Sequence, residues 1–259
     1  MACLRETRIN LPSKPTNKIR YLFLLPIILI HSTTWPQTKP TDTNRDFGSW
    51  SSAQISCKFN KRWTFSLEEQ YRLKDNLTAF DRLLTQLEAE YNLSKQFEFG
   101  LGLRHLWLND NLGNQQGLEH HFRFHLDASH KTKVNRFSFR NRLRYQQQNQ
   151  LGKSRLEGDY TSRYYRWKSA IIYNIRNWKL DPEIATEFFY HSQLGQLSGL
   201  LGFKYRLIFE TEYRINKSQQ INFRMLTEKE LQIFNPQRNN VIEIKYNYSF
   251  KKKTKGNKK

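Results

Sequence analysis

Cysteine is nearly absent: the 259 residues contain Cys3 and Cys57 and no other. Cys3 lies in a segment expected to be removed, which leaves Cys57 alone. No intrachain disulfide is then possible, and neither a zinc site nor a disulfide scaffold is supported. Long apolar runs are missing too. The run Tyr21–Ile30, YLFLLPIILI, contains Pro26 and ten residues in all, well short of the roughly 20 that a membrane-spanning helix needs. Mean hydropathy is −0.81 and hydrophobic residues make up 37%, so a helical membrane protein is excluded. Disorder, the common outcome of so low a hydropathy, is excluded in turn by an aromatic content of 14%.

Acidic residues are outnumbered, 23 against 43 Lys and Arg, for a net charge of +20. Such an excess raises nucleic acid as a partner, but its distribution argues against one. The tail 251–259, KKKTKGNKK, holds six lysines and no acid, and residues 1–37 hold five basic residues against one Glu. The basic residues between alternate with apolar ones and gather into no stripe. No nucleic-acid partner is expected.

Residues 1–20 carry Arg5, Arg8, Lys14, Lys18 and Arg20, and the apolar run follows directly. A positive start and a short apolar core read as a secretory signal peptide over residues 1–37, with cleavage between 32 and 38. Cys3 precedes the apolar core, which argues against a lipoprotein signal. A polar lead over 38–47 follows.

The remainder is organised around Arg136–Gln146, RFSFRNRLRYQ. Phe137, Phe139, Leu143 and Tyr145 share one parity, whereas Arg136, Ser138, Arg140, Arg142 and Arg144 share the other. A period of two is a β-strand. One face wants hydrocarbon and the other wants water and counter-charge, which suits the wall of a membrane barrel or a soluble antiparallel sheet with one wet face. The rest of the chain decides between them. Trp63, Phe65, Leu67 and Tyr71 oppose Glu68, Gln70 and Arg72; Leu201, Phe203, Tyr205, Leu207 and Phe209 oppose Lys204, Arg206 and Glu210. Residues 80–92 have helical propensity in LLTQLEAE but read as a strand, since a hairpin follows at 91–95. In 97–108, Gly100 and Gly102 fall on the polar side, where they leave lumen space or allow bending.

Short turns are predicted near 61, 94, 132, 176 and 217, the third at Lys131–Lys133. Longer loops are predicted near 76, 113, 152, 195 and 234, the last over Glu228–Asn240. Outer-membrane barrels sort their connections in this way, with short periplasmic turns and long outer loops. With the signal peptide, this sorting gives an all-β, antiparallel transmembrane barrel over 48–250 with a lysine-rich tail over 251–259. Eleven strands are counted. Because single-chain bacterial barrels have even numbers, twelve are expected, with ten as the alternative.

The stretches FGSWSSAQISCKFNKRWTFSLEEQYRL and YNLSKQFEFGLGLRH, the paired Arg-rich and Glu-containing strands and the closing VIEIKYNYSF resemble the barrels of domain-of-unknown-function family 2490, over about residues 46–250. The resemblance implies a barrel in a Gram-negative outer membrane and implies no reaction or ligand. The lysines after Phe250 depart from the usual aromatic ending.

The polar face supplies the candidate site: Arg136, Arg140, Arg142, Arg144, Lys204, Arg206 and Arg214, with Glu183, Glu187, Glu210 and Glu212. Glu68, Glu88 and Glu90 share it. These residues read as a charge ladder filling a narrow lumen, each Arg set against a Glu because an unpaired buried charge is costly. They also suit a selective pore or polar ligand pocket. The function expected is structural, pore-forming or ligand-binding, and the alternative is a phospholipase-like, lipid-modifying barrel. His191 and Ser192 are adjacent, but strand neighbours point to opposite faces. His121 and His125, four apart on a strand, are roughly 13 Å apart, too far for a common ion. No catalytic residue, metal or cofactor is assigned. The partners expected are the bilayer of the outer membrane and its barrel-assembly machinery, reached through the secretory pathway; the oligomeric state is not assigned.

Parity has a direct test. Phe139→Arg places a charge toward lipid and costs about 2–4 kcal/mol near the midplane, whereas Arg140→Gln, one residue on, is expected to be tolerated better. Folded barrel is read by heat-modifiable gel migration, and equal or reversed losses would show the faces to be misassigned.

Overall fold

Residues 45–110, 116–154, 161–193, 201–231 and 236–251 are described by a computed structural model. The expected signal peptide, residues 38–44 of the lead and 252–259 of the tail lie outside them. The described residues form eleven strands: β1 (Arg45–Lys58), β2 (Trp63–Lys74), β3 (Ala79–Asn92), β4 (Phe97–Asp110), β5 (Gly117–Val134), β6 (Phe137–Gln150), β7 (Ser162–Tyr173), β8 (Leu180–Gln193), β9 (Leu201–Arg214), β10 (Gln219–Leu231) and β11 (Arg238–Lys251). Among them no helix is long and apolar enough to cross a membrane, which says nothing about strands. Each strand pairs antiparallel with its chain neighbour, and β1 closes the barrel on β11. The wall runs from Arg45 to Lys251, slightly beyond the 48–250 expected.

The strand count corrects the expectation of twelve or ten. The even number assumed that first and last strands meet antiparallel, but here they run parallel, from Arg45↔Arg238 to Lys58↔Lys251. An up-and-down wall with an odd number of strands can close in no other way. A parallel pair is slightly weaker per residue than an antiparallel one. It still satisfies both rims over their whole length and leaves no edge.

Period two holds around the wall. On β6, Phe137, Phe139, Asn141 and Leu143 are exposed and Arg144 and Gln146 are buried; on β2, Trp63, Phe65, Leu67 and Tyr71 are exposed and Glu68 and Gln70 buried. The apolar side chains thus face outward and the charges inward. Polar side chains interrupt the outward face in places, among them Asn141 opposite Ser169 and a row in which Glu69 opposes Thr85 and Thr85 opposes His105.

Inside, the polar lining is broken by an apolar row that follows the hydrogen bonds through Ala170, Ala185, Ile208, Leu226 and Val241, all buried, to Gly48. Trp50 packs on this row from β1. The row starts near the β7 end that carries the 174–179 turn and reaches the opposite end of the barrel at β1, as tilted strands require.

The turns partly revise the expected sorting. Residues 59–62, 93–96 and 215–218 are short as predicted, but the β2–β3 connection, 75–78, is equally short, and 174–179 is longer than its counterparts. The predicted turn at Lys131–Lys133 lies within β5. The chain reverses instead at Asn135–Arg136, where Asn135 takes φ +54°, a left-handed conformation that asparagine tolerates. Glu228 belongs to β10 and Arg238–Asn240 to β11, so the predicted 228–240 loop is confined to 232–237.

Lys251 is the last residue paired with β1, and Tyr246–Phe250 supply much of the closing strand. Deleting 252–259 is therefore expected to leave the yield of heat-modifiable barrel nearly unchanged, and deleting 246–259 to abolish it. Loss of the barrel on the shorter deletion alone would mean that the wall extends past Lys251.

Candidate functional site

The lumen encloses a cavity of about 1320 Å³, and three charged nodes brace it. The first is Glu187 on β8, buried beneath three arginines. Arg166 donates to it through Nε at 3.1 Å and Nη2 at 2.9 Å, Arg142 at 3.0 Å and Arg206 at 3.3 Å. These bonds tie β6, β7, β8 and β9 together. Beside them Phe189 lies under three cations, with Arg166, Arg206 and Lys204 at 4.5, 4.8 and 5.0 Å from its ring centre, where the π face offsets part of their mutual repulsion.

The second node is Asp127 on β5, which accepts both arms of Arg144 at 2.6 and 2.5 Å. Glu88 lies 3.8 Å from Arg144 and 3.4 Å from His125 Nε2. The two glycines of β4 make this packing possible. A Cβ on Gly102 would stand 2.0 Å from the His125 ring, and one on Gly100 would meet Asp127 at 3.2 Å. His125 is fully buried and its Nδ1 has no partner. Glu88, His125 and Asp127 bring potential metal-ligand atoms within 4.8 Å of one another. Arg144 already occupies both oxygens of Asp127, however, and a cation there would face its guanidinium.

The third node spans the parallel seam. Glu243 on β11 accepts from Arg224 at 2.6 Å, from Gln70 at 2.9 Å and from Ser52 at 3.2 Å. Lys245 reaches over β1 to Glu68 on β2 at 2.9 Å. Side chains therefore join β11 to β2 across the strand between them, reinforcing the parallel pairing.

Most of the site predicted from sequence lies in this lumen. Arg140, Arg142, Arg144, Lys204, Arg206 and Glu187 line the cavity. Glu183 pairs with Lys168 at 2.8 Å, Glu210 with Arg224 at 2.8 Å, and Lys204 and Arg206 both reach Glu228. Three placements are corrected, those of Arg136, Arg214 and Glu212. Arg136 is exposed in the β5–β6 turn, because the strand begins one residue later than its alternation suggests. Arg214 is 59% exposed and pairs with Glu212 and Asp181, a cluster at the short-turn rim outside the lumen. Asp127, Arg166, Arg224, Glu228, Glu243, Lys245 and Trp50 were missed. All obey the same parity rule, which carried to every strand would have found them.

His191 and Ser192 are strand neighbours on β8 and point to opposite faces, as expected of adjacent strand residues. His191 stacks on Tyr164 at 4.3 Å between ring centres with its Nε2 unpartnered. His120 stacks outward against His105 and Trp107, whereas His121 bonds Glu119 inside.

A family model described as "Protein of unknown function (DUF2490)" matches residues 47–257. Comparison with curated proteins gave no match.

Replacing Glu187 by Gln would leave three arginines confronting one another without their shared carboxylate. A loss of about 3–5 kcal/mol is expected, as for other broken buried pairs. Glu212→Gln, at the wet rim, is expected to cost about 1 kcal/mol or less. Urea midpoints for loss of the heat-modifiable form check the contrast, and equal midpoints would show that Glu187 is no brace.

Proposed function

The chain belongs to the DUF2490 family, and from that premise we propose that it is an integral β-barrel of the outer membrane whose lumen binds a small polar solute. The observation that carries this reading is an inverted distribution of side chains. Among the described residues forty large hydrophobic side chains are exposed and eight hydrophobic ones are buried, whereas a soluble monomer seldom exposes an apolar patch beyond a few hundred Å². In a bilayer those of them that stand on the strands are solvated by lipid, and the charges stay inside with water.

The outward rings support the same reading. Trp63 and Tyr91, Phe97 and His130, and Phe137 and Tyr173 stand 4.8, 4.7 and 4.9 Å apart at the short-turn end. Tyr145–Tyr165 and Tyr190–Phe203, at 5.4 and 5.1 Å, lie further along the wall. Membrane barrels carry aromatic girdles at their interfaces. A signal peptide over 1–37 delivers the chain to the periplasm, and the assembly machinery of the outer membrane receives it. Among the described residues Glu69 is the mid-strand acid that faces outward; an acid costs less there than Lys or Arg.

The lumen reads as a binding compartment more than as a wide channel. Trp50 projects into it, with the Arg72 guanidinium 3.8 Å and the Arg206 guanidinium 5.5 Å from its ring centre, and the three nodes crowd the remainder.

The protein is expected to fractionate with the outer membrane, to change gel mobility on boiling and to give little steady conductance in planar bilayers. Recovery from the periplasm without detergent would overturn the membrane reading. A large open-channel conductance would overturn only the binding compartment.

A further inference from the structure

Two sets of lumen arginines differ in what they bond. Arg142, Arg144, Arg166, Arg206 and Arg224 all reach carboxylates. Arg72, Arg104 and Arg123 reach glutamines instead. Arg72 Nε donates to Gln70 Oε1 at 2.6 Å, Arg104 Nε to Gln86 Oε1 at 2.8 Å and Arg123 Nε to Gln148 Oε1 at 3.0 Å. Arg104 and Arg123 each give an Nη2 to the same oxygen as well. Among the described residues, none of the three forms a salt bridge.

Their placement makes this costly. Arg104 and Arg123 are directly opposite across β4 and β5, and Arg72 is opposite Arg82 across β2 and β3; facing like charges destabilise a sheet. Asp81 neutralises Arg82 at 2.7 Å. Arg123 still feels the charges of Arg104, Arg82 and Arg72. Acid is not scarce in the barrel: Glu90 and Glu98 line the same cavity without a salt bridge, but they sit toward the short-turn end. Leu84 and Leu106, both fully buried, lie between the Arg72 and Arg104 rows and lower the local dielectric, which strengthens the repulsion and equally any attraction to an incoming anion.

A glutamine carbonyl satisfies one edge of a guanidinium without cancelling its charge. It fixes the fork and leaves the other edge turned to the cavity, as a site for a planar or tetrahedral oxyanion needs. Trp50 beneath Arg72 and Tyr164 at 6.0 Å from Arg123 orient two of the three groups further.

We propose that Arg72, Arg104 and Arg123, held by Gln70, Gln86 and Gln148, form an anion site that takes the phosphate group of a water-soluble phosphate ester. Three guanidinium groups suit a dianion better than a single carboxylate. The hydrogen-bonded wall is closed around the site, so a headgroup still attached to chains in the bilayer cannot enter from the side, and the ligand arrives through the mouth. The inference rests on the lumen being the working compartment and names what that compartment holds.

The test uses the full chain folded in detergent, with inorganic phosphate and methyl phosphate as probes, followed by calorimetry and by the temperature at which heat-modifiable migration is lost. Saturable binding and a raised unfolding temperature are expected. R104Q/R123Q should weaken binding about tenfold or more, the scale of losing charge-assisted bonds. Q86E/Q148E gives both arginines internal carboxylates; it should abolish binding while unfolding no earlier than the parent protein, a result that a purely structural role does not produce. It also decides the matter should R104Q/R123Q fail to fold. Folded, heat-modifiable protein that binds no phosphate, or a Q86E/Q148E variant that binds it undiminished, would overturn the site and leave the barrel reading intact. Tighter binding to vesicles containing phosphatidic acid than to methyl phosphate would overturn the assignment to a soluble ester.

Discussion

Closure of β1 on β11 is the constraint from which the rest follows. Every backbone donor and acceptor along two strand edges must find a partner, and with eleven strands the partner runs in the same direction. A parallel pair offers slanted, somewhat weaker bonds, and side chains supply the reinforcement. Glu243 and Lys245 reach past β1 to Gln70 and Glu68, so opening the seam would also break charged contacts two strands away. Only because the wall is closed do its two faces differ, one apolar throughout most of its extent and the other able to keep charge.

The inner face turns an electrostatic difficulty into a brace. Charges taken out of water must be compensated, and around Glu187 compensation means one carboxylate shared among three strands besides its own. Aromatic faces at Phe189 and Trp50 absorb part of the excess of cations. Backbone room matters as much as charge: Gly102 clears the volume that the His125 ring fills, and His125 in turn reaches Glu88. Beside Arg104 and Arg123 glutamine takes the place of a contacting acid, and among the described residues neither guanidinium forms a salt bridge.

Local pattern made much of this legible. Alternation in RFSFRNRLRYQ placed Phe139 outward and Arg140, Arg142 and Arg144 inward without reference to any other strand, since a two-residue period fixes a face locally. It could not fix ends: Arg136 continues the alternation yet lies in the turn, because the reversal is set by Asn135 and its positive φ. Nor could it reveal the seam. The Ser52–Glu243 contact joins residues 191 apart, and nothing within either stretch announces a parallel partner. Trp50 shares the polar parity without carrying charge, and its role comes from packing against the buried row that includes Val241, which β1 alone does not show.

The odd wall also fixes which way the chain travels. Arg45 pairs with the start of β11 and Lys251 with the end of β1, so the first and last residues of the wall stand at opposite mouths. Gaining or losing a whole hairpin changes the girth by two strands and leaves that arrangement untouched. The handing-over of the chain from one side to the other is thus a topological invariant of the barrel, altered only by adding or removing a single strand.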